Sequence, residues 1–218
     1  MNKISKARLI MWVLALAPAI IVAVLYNSLP DMIPMHWNAR GEVRYDPKMH
    51  IWIMAMASPA IAALFMLLPK IDPRKENYEK FREYYDRFAL FIMLFMLGVL
   101  GLILSESFNP GRLRVDNVVL AVCGLLFMFL GNMMPKLKSN FFIGIRTPWT
   151  ISNADVWHKT HRLAGFLWFF GGLLVLASSF ILSGTPLFAM LTVTVAAMTF
   201  IPIVMSYLWY KGLPDTRR

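Results

Sequence analysis

LFAMLTVTVAAMTFIPIVMSYLWY, Leu187 to Tyr210, runs 24 residues without Asp, Glu, Lys or Arg. About 20 such residues are enough to cross the hydrocarbon of a bilayer as a helix. The run lacks the two-residue alternation of a barrel strand, so a helix is the structure that satisfies its backbone in lipid. Five uncharged runs precede it: Leu9–Tyr26, Ile51–Leu68, Phe88–Leu104, Val118–Met134 and Leu163–Leu182, each of 17 to 20 residues. The sequence therefore predicts an all-α integral membrane protein with six transmembrane helices. Composition agrees: 58% of residues are hydrophobic and only 16% charged, against roughly 25% charged in soluble domains. Basic residues precede the first run, as in a signal peptide. That run is long for a signal sequence, and no small-residue cleavage site follows it, so it reads as a retained helix. The lone Cys123, inside the fourth run, offers no intrachain disulfide.

Lys and Arg are unevenly shared between the two sides that six spans create. The N-terminal segment, the second and fourth loops and the C-terminal tail carry 17; the first and third loops carry five. The positive-inside rule then places both termini in the cytoplasm. On this reading the net charge of +10 follows from topology, and no direct nucleic-acid binding is expected, because the cations flank spans instead of forming one patch.

The first loop, Asn27 to His50, is expected outside the cell. Pro30, Pro34 and Pro47 block helix continuation, Asn38-Ala39-Arg40-Gly41 reads as a turn, and Glu42-Val43-Arg44-Tyr45 alternates weakly enough to pair as a short strand. Pro34, His36, Trp37, Asn38 and Gly41 are the candidate recognition residues, alongside the plainer reading of a lid packed over helix ends. In the second loop, Asp72-Pro73 reads as a helix start. Tyr78, Phe81, Tyr85 and Phe88 form a stripe at helical spacing, and Glu76/Lys80 and Glu83/Arg87 are favourable i,i+4 pairs. One continuous helix from Pro73 to Ser105 is predicted, its stripe packed against the fourth loop. The third loop, Ser105 to Asn117, reads as a solvated turn.

The fourth loop, Pro135 to Arg162, has 28 residues, where connections in compact bundles seldom exceed about eight. Arg146-Thr147-Pro148-Trp149 is predicted extended, because a residue before Pro avoids the helical region. Ser152 reads as the N-cap of a helix that continues into the fifth span, with Asp155 near its positive end. Asp155, His158 and Arg162 then share one face and Trp157 and His161 a neighbouring one. Asp155 and His158 could form an acid/base pair; the architectural reading is a capped helix whose polar residues meet headgroups. Arg146 is expected to clamp a carbonyl or a lipid phosphate, most simply holding the loop together.

No metal or cofactor is expected. His36 and His50 fall on one side and His158 and His161 on the other, so no three histidines can meet as zinc requires. Two alternatives stay open: a small-solute transporter, despite uncharged spans interrupted only by Pro18, Pro59 and Pro202, and a metal-dependent membrane enzyme built on Asp155, His158 and His161.

The fourth loop and its flanking spans resemble the SdpI family of bacterial immunity proteins. The matching residues are Gly131-Asn132, Pro135, Asn140, Gly144-Ile145-Arg146-Thr147-Pro148-Trp149-Thr150, Val156-Trp157, Thr160-His161-Arg162 and Gly165. Of these, Asn140, Gly144, Arg146, Thr147, Pro148, Trp149, Trp157, His161 and Arg162, with Asp155, form the signature of the loop. Pro30, Pro34, His36, Asn38 and Gly41 resemble the DUF1648 domain that often precedes it, with Trp37 where Phe is usual. The resemblance divides the chain into a DUF1648-like region (1–69, two helices around loop 27–50), a connecting extension and third helix (70–117) and an SdpI-like region (118–218). It implies a multi-pass protein of the bacterial cytoplasmic membrane, in contact with the lipid bilayer. It further implies a non-enzymatic protein that resists a secreted, membrane-active SDP-type peptide toxin and relays its presence to a cytoplasmic transcriptional repressor. No catalytic residue comes with it.

Overall fold

The computed structural model describes residues 6–38 and 42–213. Six helices among them are long and apolar enough to cross a membrane. In chain order they are α1 (Lys6–Leu25), α2 (Ile51–Ile71), α3 (Glu76–Phe108), α4 (Val115–Met133), then, after the short α5 (Pro148–Ser152), α6 (Ala154–Ser178) and α7 (Gly184–Lys211). Each apolar run of the sequence lies within one of these helices or its flanking turn. Pro18 and Pro202 sit inside α1 and α7, where the span as a whole stays helical because no water competes for its backbone.

Between α1 and α2 lies a two-stranded antiparallel sheet, β1 (Met32–Trp37) and β2 (Val43–Pro47). The strand read weakly at Glu42–Tyr45 exists, shifted one residue on and extended to Pro47. Its partner β1 contains Pro34, which single-sequence pattern reading assigns away from strands. The turn residues Ala39, Arg40 and Gly41 lie outside the described residues.

The chain divides into two compact units. The first comprises Met1–Leu68, Tyr85–Val119 and Ser183–Thr185. Val22, Leu29, Ile33, Ile51, Ala55 and Leu100 form a buried cluster there, and Trp37 packs against it. Met11, Ala15, Ala62, Ala89 and Met93 form another, where small residues let α1, α2 and α3 approach closely. Tyr85 donates to the carbonyl of Phe65 (2.7 Å), and the rings of Phe65 and Phe88 meet edge to face. The third loop is organised, not merely solvated: the buried Glu106 accepts from the N–H groups of Gly111 (2.8 Å) and Leu113 (2.9 Å).

The second unit comprises Pro69–Tyr84, Leu120–Leu182 and Pro186–Arg218. Leu120, Val175 and Leu187 form its apolar cluster. Trp168 donates its indole N–H to the Met198 carbonyl (3.0 Å) and meets Phe127 edge to face, joining α4, α6 and α7.

α3 corrects the predicted continuous helix from Pro73. Residues 73–75 form a turn, the helix starts at Glu76 and runs to Phe108, and Phe81 (φ −131°, ψ 21°) breaks it. Asp72 turns its carboxylate onto the Arg74 N–H (2.7 Å), which closes a turn in place of a first helical turn. Lys80 bonds Asn77 Oδ1 (3.0 Å) rather than Glu76.

Candidate functional site

The segment 134–162 is a folded structure built from its own polar side chains. Asn140 is fully buried and makes every bond an amide can make. Its Nδ2 donates to the carbonyls of Lys138 (2.9 Å) and Ile143 (3.1 Å), and its Oδ1 accepts from the N–H groups of Phe142 (2.9 Å) and Ile143 (2.7 Å). That ring of bonds closes a tight turn. Gly144 follows at φ +102°, and a Cβ there would strike His161 Nε2. Arg146 spans the turn and donates to the Phe141 carbonyl.

His161 is buried and holds the turn to α6. Its Nδ1 lies 2.8 Å from the Trp157 carbonyl, which can only accept, so Nδ1 carries the proton. Nε2 then accepts from the Ile145 N–H at 3.1 Å. The Trp157 ring stacks on the imidazole at 4.0 Å, and its indole N–H donates to the Leu137 carbonyl (2.9 Å). Both ring nitrogens of His161 are occupied by backbone, so it has no free site for proton transfer or metal ligation.

Two local expectations are corrected here. Arg146–Trp149 is not extended throughout: Thr147 is the N-cap of α5, with Pro148 at its first turn. The Thr147 hydroxyl accepts from the Thr150 N–H (3.2 Å) and the Thr150 hydroxyl from the Thr147 N–H (2.9 Å), a capping box with Thr in place of Glu. The N-cap of α6 is Asn153, not Ser152. Asn153 Oδ1 accepts from Asp155 N–H (2.9 Å) and Val156 N–H (3.0 Å), because an Asn oxygen reaches two free amides at once. Ser152 ends α5 and bonds back to the Trp149 carbonyl. α5 is held further by Thr147 to Ser206 (3.1 Å) and by the Trp149 ring against Tyr207 (5.0 Å), both on α7.

The second loop docks on this turn through residues that spacing does not reveal. The buried Asp72 accepts from Tyr78 OH (3.0 Å) and from the Phe141 N–H (2.9 Å). Arg74 donates to Ser139 Oγ and to the Ile151 carbonyl (2.9 Å), with the Phe141 ring under its guanidinium at 5.2 Å. Asn77 donates to the Ser139 carbonyl (2.8 Å). The second loop thus meets the fourth through Asp72, Arg74 and Asn77; of the predicted stripe, Tyr78 bonds Asp72, and Tyr85 and Phe88 pack on Phe65. Asp72 was legible only as a helix start; its partner lies 69 residues away.

Asp155, His158 and Arg162 are exposed on α6. Among the described residues, no three of His, Cys, Asp and Glu converge as a metal requires.

The hairpin is built differently. Asn38 N–H donates to the Glu42 carbonyl (3.1 Å) and Lys48 N–H to the Asp31 carbonyl (2.8 Å), closing the ladder at both ends. Antiparallel alternation then puts Val43 opposite Trp37 and Tyr45 opposite Pro34 in non-bonded pairs. The N–H and C=O groups of Val43 and Tyr45 face the outer edge of β2. Pro34 sits where a missing N–H costs no ladder bond. His36, Arg44 and Asp46 meet on one face: Arg44 Nη2 lies 3.0 Å from His36 Nδ1 and 3.2 Å from Asp46 Oδ2. Of the predicted recognition residues, His36 and Asn38 are exposed, Pro34 is buried and Trp37 is half-buried; Gly41 lies outside the described residues.

These features define a class: a multi-pass, helical membrane protein with a short sheet after its first helix and a self-bonded loop between its fourth and fifth spans. The chain resembles the SdpI family over its second half, with a DUF1648-like region ahead of it. The SdpI/YfhL protein family matches residues 136–206, and the domain of unknown function DUF1648 matches residues 13–58. Immunity protein SdpI of Bacillus subtilis (strain 168) is 25% identical over 195 residues, covering 89% of this chain and 91% of that protein. No solved structure matches the chain. With six apolar spans, it is a multi-pass bacterial membrane protein.

Proposed function

We propose that this protein is a non-enzymatic membrane immunity protein that protects its host from a secreted, membrane-active peptide of the SDP type. The hairpin carries the reading. It is an ordered, exposed structure in the loop that the charge distribution assigns to the outside, and β2 presents an unpaired edge beside exposed His36, Asn38 and Arg44. An extended peptide adds to such an edge through backbone bonds. The Bacillus subtilis relative is named an immunity protein, which supports the same role. The buried Asn140, Thr150 and His161 of the signature loop have their polar atoms committed to its own backbone, which suits a scaffold better than catalysis.

The test is expression in a peptide-sensitive bacterium, with survival after challenge by a purified SDP-type peptide. Protection of tenfold or more is expected, and it should fall in His36→Ala/Arg44→Ala at unchanged membrane level. Unchanged killing of cells that hold the wild-type protein in the membrane would overturn the reading. Relay to a cytoplasmic repressor is the finer part of the proposal. It would use the exposed row Asp155, His158 and Arg162, and charge reversal along that row should abolish repressor recruitment to membranes without changing survival.

A further inference from the structure

α4 and α6 cross at glycines. A Cβ on Gly165 would lie 2.9 Å from the Gly131 carbonyl oxygen, and a Cβ on Gly172 would lie 2.6 Å from that of Gly124. The two backbones approach as closely as residues without side chains permit. The same missing side chains leave a slot on the outer surface of the pair. Gly131 and Gly165 line it together with Phe166 and Phe170, which are 60% and 51% exposed. From Gly165 to Phe170 it follows about 8 Å of helix.

The slot runs along the ends of two spans. One end is polar. Asn132 and Lys136, one helical turn apart on the same face of the chain, close it. Lys136 is the last residue of its span, which puts its ammonium at headgroup depth. That ammonium sits 6.0 Å from the Tyr84 ring and forms no ion pair among the described residues. A shallow apolar groove ending in an unneutralised cation and an amide donor complements an acyl chain joined to a phosphate. A choline group would bring a second cation against Lys136; an anionic headgroup would not.

We propose that this slot is a binding site for an anionic glycerophospholipid. One acyl chain lies over Gly131 and Gly165 between Phe166 and Phe170, and the phosphate accepts from Lys136 Nζ and Asn132 Nδ2. The site is independent of the hairpin and of any immunity role.

The full-length protein in phosphatidylcholine nanodiscs provides the test, with acyl-chain diazirine probes of phosphatidylglycerol or phosphatidylcholine and mass-spectrometric mapping after irradiation. The phosphatidylglycerol probe should label peptides containing 131–136 and 165–170 about fivefold more than the phosphatidylcholine probe, the effect expected of one cation at an anionic headgroup. Lys136→Gln should remove that preference, while Lys211→Gln, at the end of a different span, should leave it. Equal labelling by the two probes, an unchanged preference in Lys136→Gln, or equal loss in both variants would overturn the site. If Lys136→Gln fails to reconstitute, competition on the wild-type protein decides: displacement by unlabelled phosphatidylglycerol alone supports the site, and equal displacement by phosphatidylcholine overturns it.

Discussion

The signature loop and the hairpin are both polar segments between spans, yet they use their polar groups in opposite ways. In the loop, Asn140, Thr150 and His161 are buried and bond mainly to backbone. In the hairpin, His36, Arg44 and Asp46 bond to one another on an accessible face, the first two of them exposed. A buried side chain that satisfies several backbone groups cannot be changed without stranding them. An exposed cluster can change at little cost to folding, so it is free to serve recognition. The residues that identify the family are therefore mostly those that build it, and a binding role falls more naturally to the hairpin.

That contrast can be broken by substitution. The largest effect is expected from Gly144→Ala, which combines strain at positive φ with a collision against His161; a loss of about 3 kcal/mol or more is predicted. Thermal unfolding in detergent should show a marked fall in Tm, and an unchanged Tm would mean the turn is not held as described. Asn140→Ala strands two N–H and two C=O groups, at a cost of about 2–3 kcal/mol, read by the same measurement. Asp72→Asn keeps the shape but turns an NH₂ either toward the donors of Tyr78 and Phe141 or toward the Arg74 N–H. About 1–2 kcal/mol is expected there, with proteolysis between the second and fourth loops as a second readout. The smallest change belongs to the hairpin: Arg44→Ala should alter stability by less than about 0.5 kcal/mol while lowering survival under peptide challenge. A large stability loss from Arg44→Ala would erase the distinction between the two regions.

The parts that the sequence made legible share a physical reason. A span announces itself because every residue in a stretch must suit lipid, and a helix with internal backbone bonds is the local answer. The six runs needed no knowledge of neighbours. The continuity of α6 from the loop into its span was likewise local. Caps were less legible: Ser152 and Asn153 are adjacent and both competent, and the choice depends on where α5 ends, which Thr147, Ser206 and Tyr207 decide. The start of α3 was misread because Asp72-Pro73 fits a helix start, whereas the Asp72 carboxylate is drawn to Tyr78 and Phe141.

By itself the sequence determined the class of protein, the number of its spans and the segments worth attention between them, since apolar length and turn chemistry act within a few residues. Tertiary structure alone decided that Asp72 and Arg74 hold a turn some 70 residues away, that both nitrogens of His161 are taken by backbone, and that glycines of α4 and α6 meet and leave a slot beside Lys136. Those outcomes depend on which distant groups come within about 3 Å, the range over which a hydrogen bond forms, and no local pattern encodes that proximity.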